Sequence, residues 1–250
     1  MATTDPPAVE LRHLTKSFGP RRVLDDVCLV VPRGRAFCIL GRSGTGKSVA
    51  LKHIIGLMQP DSGSVLVEGE DVTRLSRADL SRVRQRIGLL FQNAALFDSI
   101  SVGENVAFPL RRHSRLSNRE IRARAEQLLA QVRLPDEYDK MPADLSGGMR
   151  KRAGLARALA LEPAIVLADE PSAGLDPVTA SEIDQLLVEL KDQAGTTLVV
   201  VTHNIPSARV IGDELVFLHE GRILAQGSAA ALDRSDVPLV RQFMQSEGSG

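Results

Sequence analysis

No tryptophan and a single tyrosine occur in the 250 residues, and aromatic side chains make up only 3% of them. With rings this scarce, a phenylalanine at an exposed turn is worth weighing as a stacking platform. Long apolar runs are missing too: none approaches the roughly 20 residues of a bilayer-spanning helix. Met1 to Pro7 has neither the basic start nor the apolar core of a secretory leader, which predicts a chain that stays in the cytoplasm. Neither sign of charge is in excess, Lys plus Arg and Asp plus Glu each totalling 31, so the broad basic field of a nucleic-acid binder is absent. Cysteine is limited to Cys28 and Cys38, each inside an apolar strand-like run. Buried free thiols are expected there, not a disulfide or a metal site. No internal repeat is present, and the length suits one large domain with a substantial core.

What is present centres on Gly41-Arg42-Ser43-Gly44-Thr45-Gly46-Lys47-Ser48, which follows the apolar run Ala36 to Leu40 and precedes a helix-like stretch from Val49 to Ile55. The order strand, glycine-rich turn, helix is that of a phosphate-binding loop. Glycines let successive backbone N–H groups turn inward toward phosphate oxygens, and the helix N-terminus adds its partial positive charge. Lys47 is expected on the β- and γ-phosphates of a nucleotide, and Ser48 as a hydroxyl ligand to Mg²⁺.

Along the chain, residues 8–14 and 23–31 read as strands joined by a turn from Lys16 to Pro20 with Phe18 at its tip. Phe18 is open to two readings, base stacking or hairpin packing. A short strand at 63–68, a basic helix over 76–86 with a solvated face, and a strand from Ile87 to Phe91 follow. Residues 94–108 are apolar with little regular period and end at Pro109, as either core or an exposed docking surface. Ser117 to Glu120 has capping-box spacing, and Ile121, Ala125, Leu128, Leu129 and Val132 recur at helical intervals. After a loop from Pro135 to Pro142, a helix is expected to about Leu161, then a buried strand at 164–168 ending at Asp169-Glu170. A helix opened by Pro177, a buried strand at 196–201 ending at Thr202-His203, and two strands at 214–219 and 222–226 complete the pattern. Ser246 to Gly250 reads as a disordered tail.

In an open parallel sheet ligands collect at the carboxyl ends of the strands. That gathers Gly41, Gln92, Asp169 and His203 around one triphosphate. Asp169 can hold Mg²⁺, Glu170 can orient or deprotonate the attacking water, Gln92 can reach the metal or that water, and His203 can donate to the γ-phosphate. Singly each is commonly structural; it is their order behind the phosphate-binding loop that favours hydrolysis.

Leu145-Ser146-Gly147-Gly148-Met149, followed by Arg150 to Ala158, resembles the signature motif of ATP-binding-cassette (ABC) ATPases. Asp169 to Asp176 resembles their Walker B motif and D-loop, with His203 as the switch histidine. The resemblance spans residues 8 to about 230. It implies an α/β P-loop NTPase with a RecA-like core, an antiparallel β subdomain and a helical subdomain at about 93–160, with 231–250 as a C-terminal extension and tail. It implies ATP and Mg²⁺ as cofactors and a homodimer in which each ATP lies between one subunit's phosphate-binding loop and its partner's Ser146-Gly147-Gly148. Nucleotide contacts then fall on Phe18, the run Gly41, Arg42, Ser43, Gly44, Thr45, Gly46, Lys47, Ser48 and Val49, and on Gln92, Asp169, Asp176 and His203. Ser48, Gln92 and Asp169 become the metal ligands, and Glu170, His203, Gln92 and Lys47 the catalytic group.

Phe91 to Ser99 and Val102 to Arg111 look like the ATPase subunit of Mla/Mce-type phospholipid transporters of bacterial envelopes. Met149, where most relatives carry glutamine, fits that group and also the glycine-betaine-type osmolyte importers. The resemblance implies an integral membrane permease as partner, with further lipid-transport subunits. It implies no nucleic-acid partner and no direct contact with the transported substrate. The cassette would then lie on the cytoplasmic face of the inner membrane. A nucleotide kinase would share the phosphate-binding loop without needing Ser146-Gly147-Gly148 or His203. A nucleic-acid-acting cassette would need a coiled-coil insertion or tandem cassettes.

Overall fold

The computed structural model describes residues 5–246. The tail expected over Ser246–Gly250 therefore falls outside the described residues from 247 onward, as do the first four residues of the N-terminal stretch read for a leader. The chain opens with β1 (Val9–Phe18), β2 (Arg21–Val31) and β3 (Ala36–Leu40), then α1 (Lys47–Ile54), β4 (Ser62–Val67), β5 (Glu70–Asp71), α2 (Arg77–Gln85) and β6 (Ile87–Leu90). Three helices follow, α3 (Val102–His113), α4 (Asn118–Gln131) and α5 (Gly147–Ala158). The last part runs β7 (Ile165–Asp169), α6 (Pro177–Ala194), β8 (Thr197–Thr202), α7 (Ile205–Ile211), β9 (Glu214–His219), β10 (Arg222–Gly227), α8 (Ala229–Asp233) and α9 (Pro238–Gln245). Among the described residues, no helix is long and apolar enough to cross a membrane.

Two sheets form. One is antiparallel, in the order β2-β1-β4-β5; the other is six-stranded, in the order β10-β9-β3-β8-β7-β6, with every neighbouring pair from β9 to β6 parallel. The central strands are continuous apolar runs because both of their faces are covered. Ala36, Cys38, Leu40, Leu198 and Val200 face a core shared with the helices α3 to α7. Phe37, Ile39, Val199 and Val201 face the opposite core, shared with the antiparallel sheet and α1. Phe37 is fully buried, and truncating it to alanine would cost about 3–5 kcal/mol.

Three local expectations need correction. The five-residue turn after β1 is only Gly19-Pro20, since the strand pairing extends to Phe18 and Arg21. The stretch before Pro109 is irregular only as far as Ser101: from Val102, α3 runs through the proline to His113. Ser101 caps its start by accepting from the Glu104 N–H, and Val102, Val106 and Leu110 bury one face. Asn105, fully buried, accepts from the N–H of Phe97 at 2.7 Å and donates to the carbonyls of Phe97, Ile100 and Ser101, which ties the preceding loop to the start of α3. Finally, Cys38 is buried as expected but Cys28 is exposed, because β2 alternates and its inward positions beside Cys28 are Val27 and Leu29.

Candidate functional site

The carboxyl ends of β3, β7 and β8 sit side by side, since Leu40 pairs with Thr202 and Asp169 with Val201. β6 ends next to β7, with Leu90 opposite Ala168. This alignment brings the phosphate-binding loop, Gln92, Asp169, Glu170 and His203 to one edge. A cavity of about 390 Å³ there is lined by Phe18, Arg21, Ser43, Gly44, Gly46, Lys47, Ser48, Val49, Gln92, Glu170 and His203. Phe18 is 47% exposed at the hairpin tip, so its ring has a free face to offer a planar ligand. Gly46, at φ +106°, ends the loop against β2; a Cβ there would lie 2.6 Å from the Val23 carbonyl, which leaves no room for any other residue.

Lys47 opens α1 and is 6% exposed. Its Nζ donates to the carbonyls of Gly41 at 2.8 Å and Arg42 at 3.0 Å, and lies 3.6 Å from Glu170 Oε1. Burial pulls the Lys47 ammonium below the usual lysine range, and Glu170 partly restores it. Ser48 Oγ donates to Asp169 Oδ1 at 2.8 Å, which sets two hard oxygen donors side by side where Mg²⁺ prefers them. Asp169 is pushed up by its burial, with the Ser48 hydroxyl acting against that shift.

Glu170 is held from several directions. Its Oε2 accepts from Thr202 Oγ1 at 3.1 Å and from the His203 N–H at 3.3 Å, while His203 Nδ1 lies 2.9 Å from Oε1. With Nδ1 engaged, Nε2 is the ring nitrogen left to reach a phosphate. Arg21, which donates to the Gly44 carbonyl at 3.0 Å, was not singled out from sequence for this edge, and only its closeness in the fold reveals it. Thr202 was read there only as the residue beside His203 at a strand end, with no bond to Glu170 expected.

The structure does not bring every expected residue here. Ser146 caps α5 by accepting from the Met149 N–H at 3.2 Å, and Asp176 caps α6 by accepting from the Val178 and Thr179 N–H groups. Ser146, Gly147, Gly148 and Asp176 do not line the phosphate-loop cavity of their own chain. They are tied to it mechanically. The buried Lys151 of α5 donates to the carbonyls of Glu170 and Ala173, each at 2.9 Å, so the helix headed by Ser146 is pinned to the strand end that carries Glu170. Nothing in the spacing marked Lys151 for burial.

A second buried link lies behind the site. The Ser172 and Ser207 hydroxyls are 3.0 Å apart, joining the stretch after Glu170 to α7. Asp184 of α6 is 4% exposed beside them, and its Oδ1 has no hydrogen-bond partner among the described residues. Burial raises the Asp184 carboxyl above its ordinary value, with the Ser207 and Ser172 hydroxyls offsetting part of the shift. A folded-state value above the unfolded one means that the stabilising neutral form is fully present below the unfolded value of about 3.9 and lost as pH rises through the folded one. Asp184→Asn should therefore raise the unfolding temperature near pH 7.5, by about 2–4 °C for each kcal/mol gained. The gain should shrink as pH approaches about 4. Thermal unfolding of both proteins at the two pH values checks this; an unchanged or lower unfolding temperature near neutrality would contradict it.

A family model described as ABC transporter matches residues 24–173. The chain is 44% identical over 243 residues to mkl of Mycobacterium tuberculosis (strain ATCC 25618 / H37Rv), described as a probable ribonucleotide transport ATP-binding protein, covering 97% of this chain and 68% of that protein. It is 41% identical over 242 residues to the intermembrane phospholipid transport system ATP-binding protein MlaF of Escherichia coli K12, covering 97% of this chain and 90% of MlaF. Among solved structures it resembles the dimeric post-hydrolysis state of the ATP-binding cassette MJ0796 bound to ADP and Pi, with a TM-score of 0.82, 36% identity, and coverage of 88% of this chain and 98% of that one. The cleft built from the phosphate-binding loop, Glu170 and His203 thus sits in a fold shared with ATP-hydrolysing cassettes, and this chain belongs to the ABC transporter family as an ATP-binding, ATP-hydrolysing cassette.

Proposed function

We propose that this chain powers phospholipid transport across the bacterial envelope as the ATPase subunit of a permease complex. The observation that carries the substrate class is the 41% identity to MlaF over nearly the whole of both chains. The name of mkl favours a second reading, ribonucleotide transport, over a shorter share of that relative. Two copies of the cassette close around ATP, as the dimeric MJ0796 structures support. Lys47 and the loop N–H groups bind the β- and γ-phosphates, Phe18 carries the adenine, and the partner copy's signature serine and glycines close on the γ-phosphate. Ser48 and Asp169, already 2.8 Å apart, with Gln92 beside them, are a donor set that fits Mg²⁺. When bound, that ion neutralises charge on the transferred phosphoryl group. Glu170 orients and deprotonates water, and His203 donates to the γ-phosphate. Residues 8–230 act as one nucleotide-binding domain with a helical subdomain at about 93–160, and 231–250 extend it. The cassette works at the cytoplasmic face of the membrane, held there by its permease.

The permease contact follows from a groove of about 440 Å³ between α2, α3 and α5, in which Phe91, Phe97 and Phe108 are 40%, 46% and 46% exposed. Residues 94–108 read from sequence as core or docking surface, and their burial differs from residue to residue, which supports both readings at different positions. Val102 and Val106 are fully buried, while the Phe97 and Phe108 rings meet at 5.0 Å on the open face. The loop from Gln92 forms one wall, and Arg157 of α5 holds it by donating to the carbonyls of Ala94 and Ala95, each at 2.7 Å. A shift at Gln92 on ATP binding thus moves the groove that seats a short permease helix.

Phe97→Glu should leave folding and ATP binding intact and abolish capture of the permease, because the charge enters an open groove. Thermal unfolding of the variant, together with pull-down of the membrane complex, checks the groove; loss of folding or an unchanged complex would overturn it. The intact complex in phospholipid vesicles should move labelled phospholipid when given ATP. Movement of a ribonucleotide or of glycine betaine in its place would overturn the substrate assignment while leaving the cassette as it stands.

A further inference from the structure

On the outer face of the β1–β2 pair, away from the nucleotide cleft, three chemically different donors converge. His13, Asp26 and Cys28 are all exposed, and their donor atoms lie within 4.8 Å of one another. Two irregularities in the strand pairing put them there. Between the pairs Leu11–Leu29 and Leu14–Val27, β1 has two residues, Arg12 and His13, against the single Cys28 of β2. Between Leu14–Val27 and Lys16–Leu24, β2 in turn has two, Asp25 and Asp26, against Thr15. These are opposed bulges, and each carries a non-glycine residue in the left-handed region, His13 at φ +50° and Asp26 at φ +57°. The first bulge is backed from behind. It presses the Arg12 and His13 carbonyls onto Gly63 of β4, where a Cβ would come within 2.5 and 2.3 Å of those oxygens. The His13 N–H donates to Cys28 Sγ at 3.3 Å and the Asp26 N–H to Thr15 Oγ1 at 3.2 Å, which fixes the backbone beneath the three side chains.

We propose that His13, Asp26 and Cys28 form a surface site for one divalent transition-metal ion of the zinc class, bound by an imidazole, a carboxylate and a thiolate with water as fourth ligand. Zinc bonds of about 2.3 Å to sulfur and about 2.0–2.1 Å to nitrogen, at a tetrahedral angle, require a nitrogen–sulfur edge of about 3.6 Å. His13 Nδ1 and Cys28 Sγ are 3.6 Å apart. The nitrogen–oxygen edge should be about 3.3 Å, and Nδ1 to Asp26 Oδ1 is 2.7 Å, so the carboxylate must swing outward by about 0.6 Å. It is free to do so, since the two side chains are 77% and 68% exposed. The neighbouring cation does not oppose the ion, because Arg12 is committed to Glu10 through two hydrogen bonds of 2.8 Å. Sulfur and imidazole donors choose zinc-class ions over Mg²⁺, which separates this site from the oxygen pair at Ser48 and Asp169. Binding breaks the Sγ–H bond of Cys28 and releases its proton to solvent. The ion clips β1 to β2 in the hairpin whose tip presents Phe18.

Cobalt(II) tests this directly, because a bound thiolate gives an intense near-ultraviolet charge-transfer band and Cys38, the other cysteine, is buried. The full chain, reduced, stripped of metal, free of nucleotide and of any affinity tag, should develop the band with one Co²⁺ per chain and lose it when Zn²⁺ is added. Cys28→Ser should abolish the band while keeping wild-type ATP turnover. His13→Gln should weaken Zn²⁺ binding by more than the ~10–100-fold that loss of an outer-shell partner costs. No band in the unmodified chain, a band that survives Cys28→Ser, or Zn²⁺ binding weaker than about 1 mM would each overturn the site.

Discussion

Glu170→Gln is expected to lower ATP turnover by about 10²–10⁴-fold, the span of a lost general base, while ATP binding persists and the protein accumulates as a closed dimer. The expectation rests on how the carboxylate is held. Glu170 is 8% exposed, its backbone is in the left-handed region at φ +49°, and Thr202, His203 and Lys47 approach it from three sides. Glutamine keeps the side-chain length and an acceptor oxygen for the Thr202 hydroxyl and the His203 N–H, so the pocket should not collapse. What it lacks is an oxygen able to take a proton from water. Phosphate release in the steady state, read beside size-exclusion chromatography in ATP, separates the two effects. Wild-type turnover would remove Glu170 from the chemistry, and loss of ATP binding would recast it as a structural prop for Lys47.

The elements that carry this chemistry were legible because each has a local signal. A short continuous apolar run bounded by polar or glycine residues suits a strand covered on both faces, and β3, β7 and β8 are such runs, β3 leading into Gly41 and β7 and β8 ending at Asp169 and Thr202. The Ser117–Glu120 capping box and the proline opening α6 likewise fixed helix starts. What escaped reading depends on contacts distant in sequence. Pro109 disfavours a helix on propensity alone, yet α3 continues through it to His113 with Val102, Val106 and Leu110 packed in the core. Lys151 resembles any basic residue on an exposed helix until α5 packs over the carbonyls of Glu170 and Ala173. Cys28 was misjudged because an apolar neighbourhood on an edge strand says nothing of which face a residue occupies, and two bulges shift the register around it. The mutual position of the two halves of the ATP site was beyond reach of periodicity altogether, since Ser146, Gly147 and Gly148 do not line the phosphate-loop cavity of their own chain.

That separation yields the sharpest test of assembly. In one chain the cavity of the phosphate-binding loop is lined by Lys47, Gln92, Glu170 and His203 and not by Ser146 or Gly147. If the partner copy completes the site, Lys47→Ala and Ser146→Arg should complement each other. A heterodimer of the two single variants contains one composite site damaged twice and one made wholly of native residues, and it should hydrolyse ATP. A heterodimer of the native chain with the Lys47→Ala, Ser146→Arg double variant carries the same two substitutions, but each of its composite sites is damaged once, and it should be inactive. Were each chain to bind and hydrolyse ATP on its own, the order would reverse, because the second pairing keeps one intact chain and the first keeps none. Lys47→Ala removes the ammonium that sits against the Gly41 and Arg42 carbonyls beside Glu170, so it weakens phosphate binding itself. Ser146→Arg takes away the hydroxyl that caps α5 and sets a bulky side chain where the γ-phosphate must approach the helix N-terminus. Turnover and trapped nucleotide, measured on tagged heterodimers of verified composition, give the ranking. Higher activity in the pairing of native with double variant would show that the cassette works alone, and the sandwich model would fall with it.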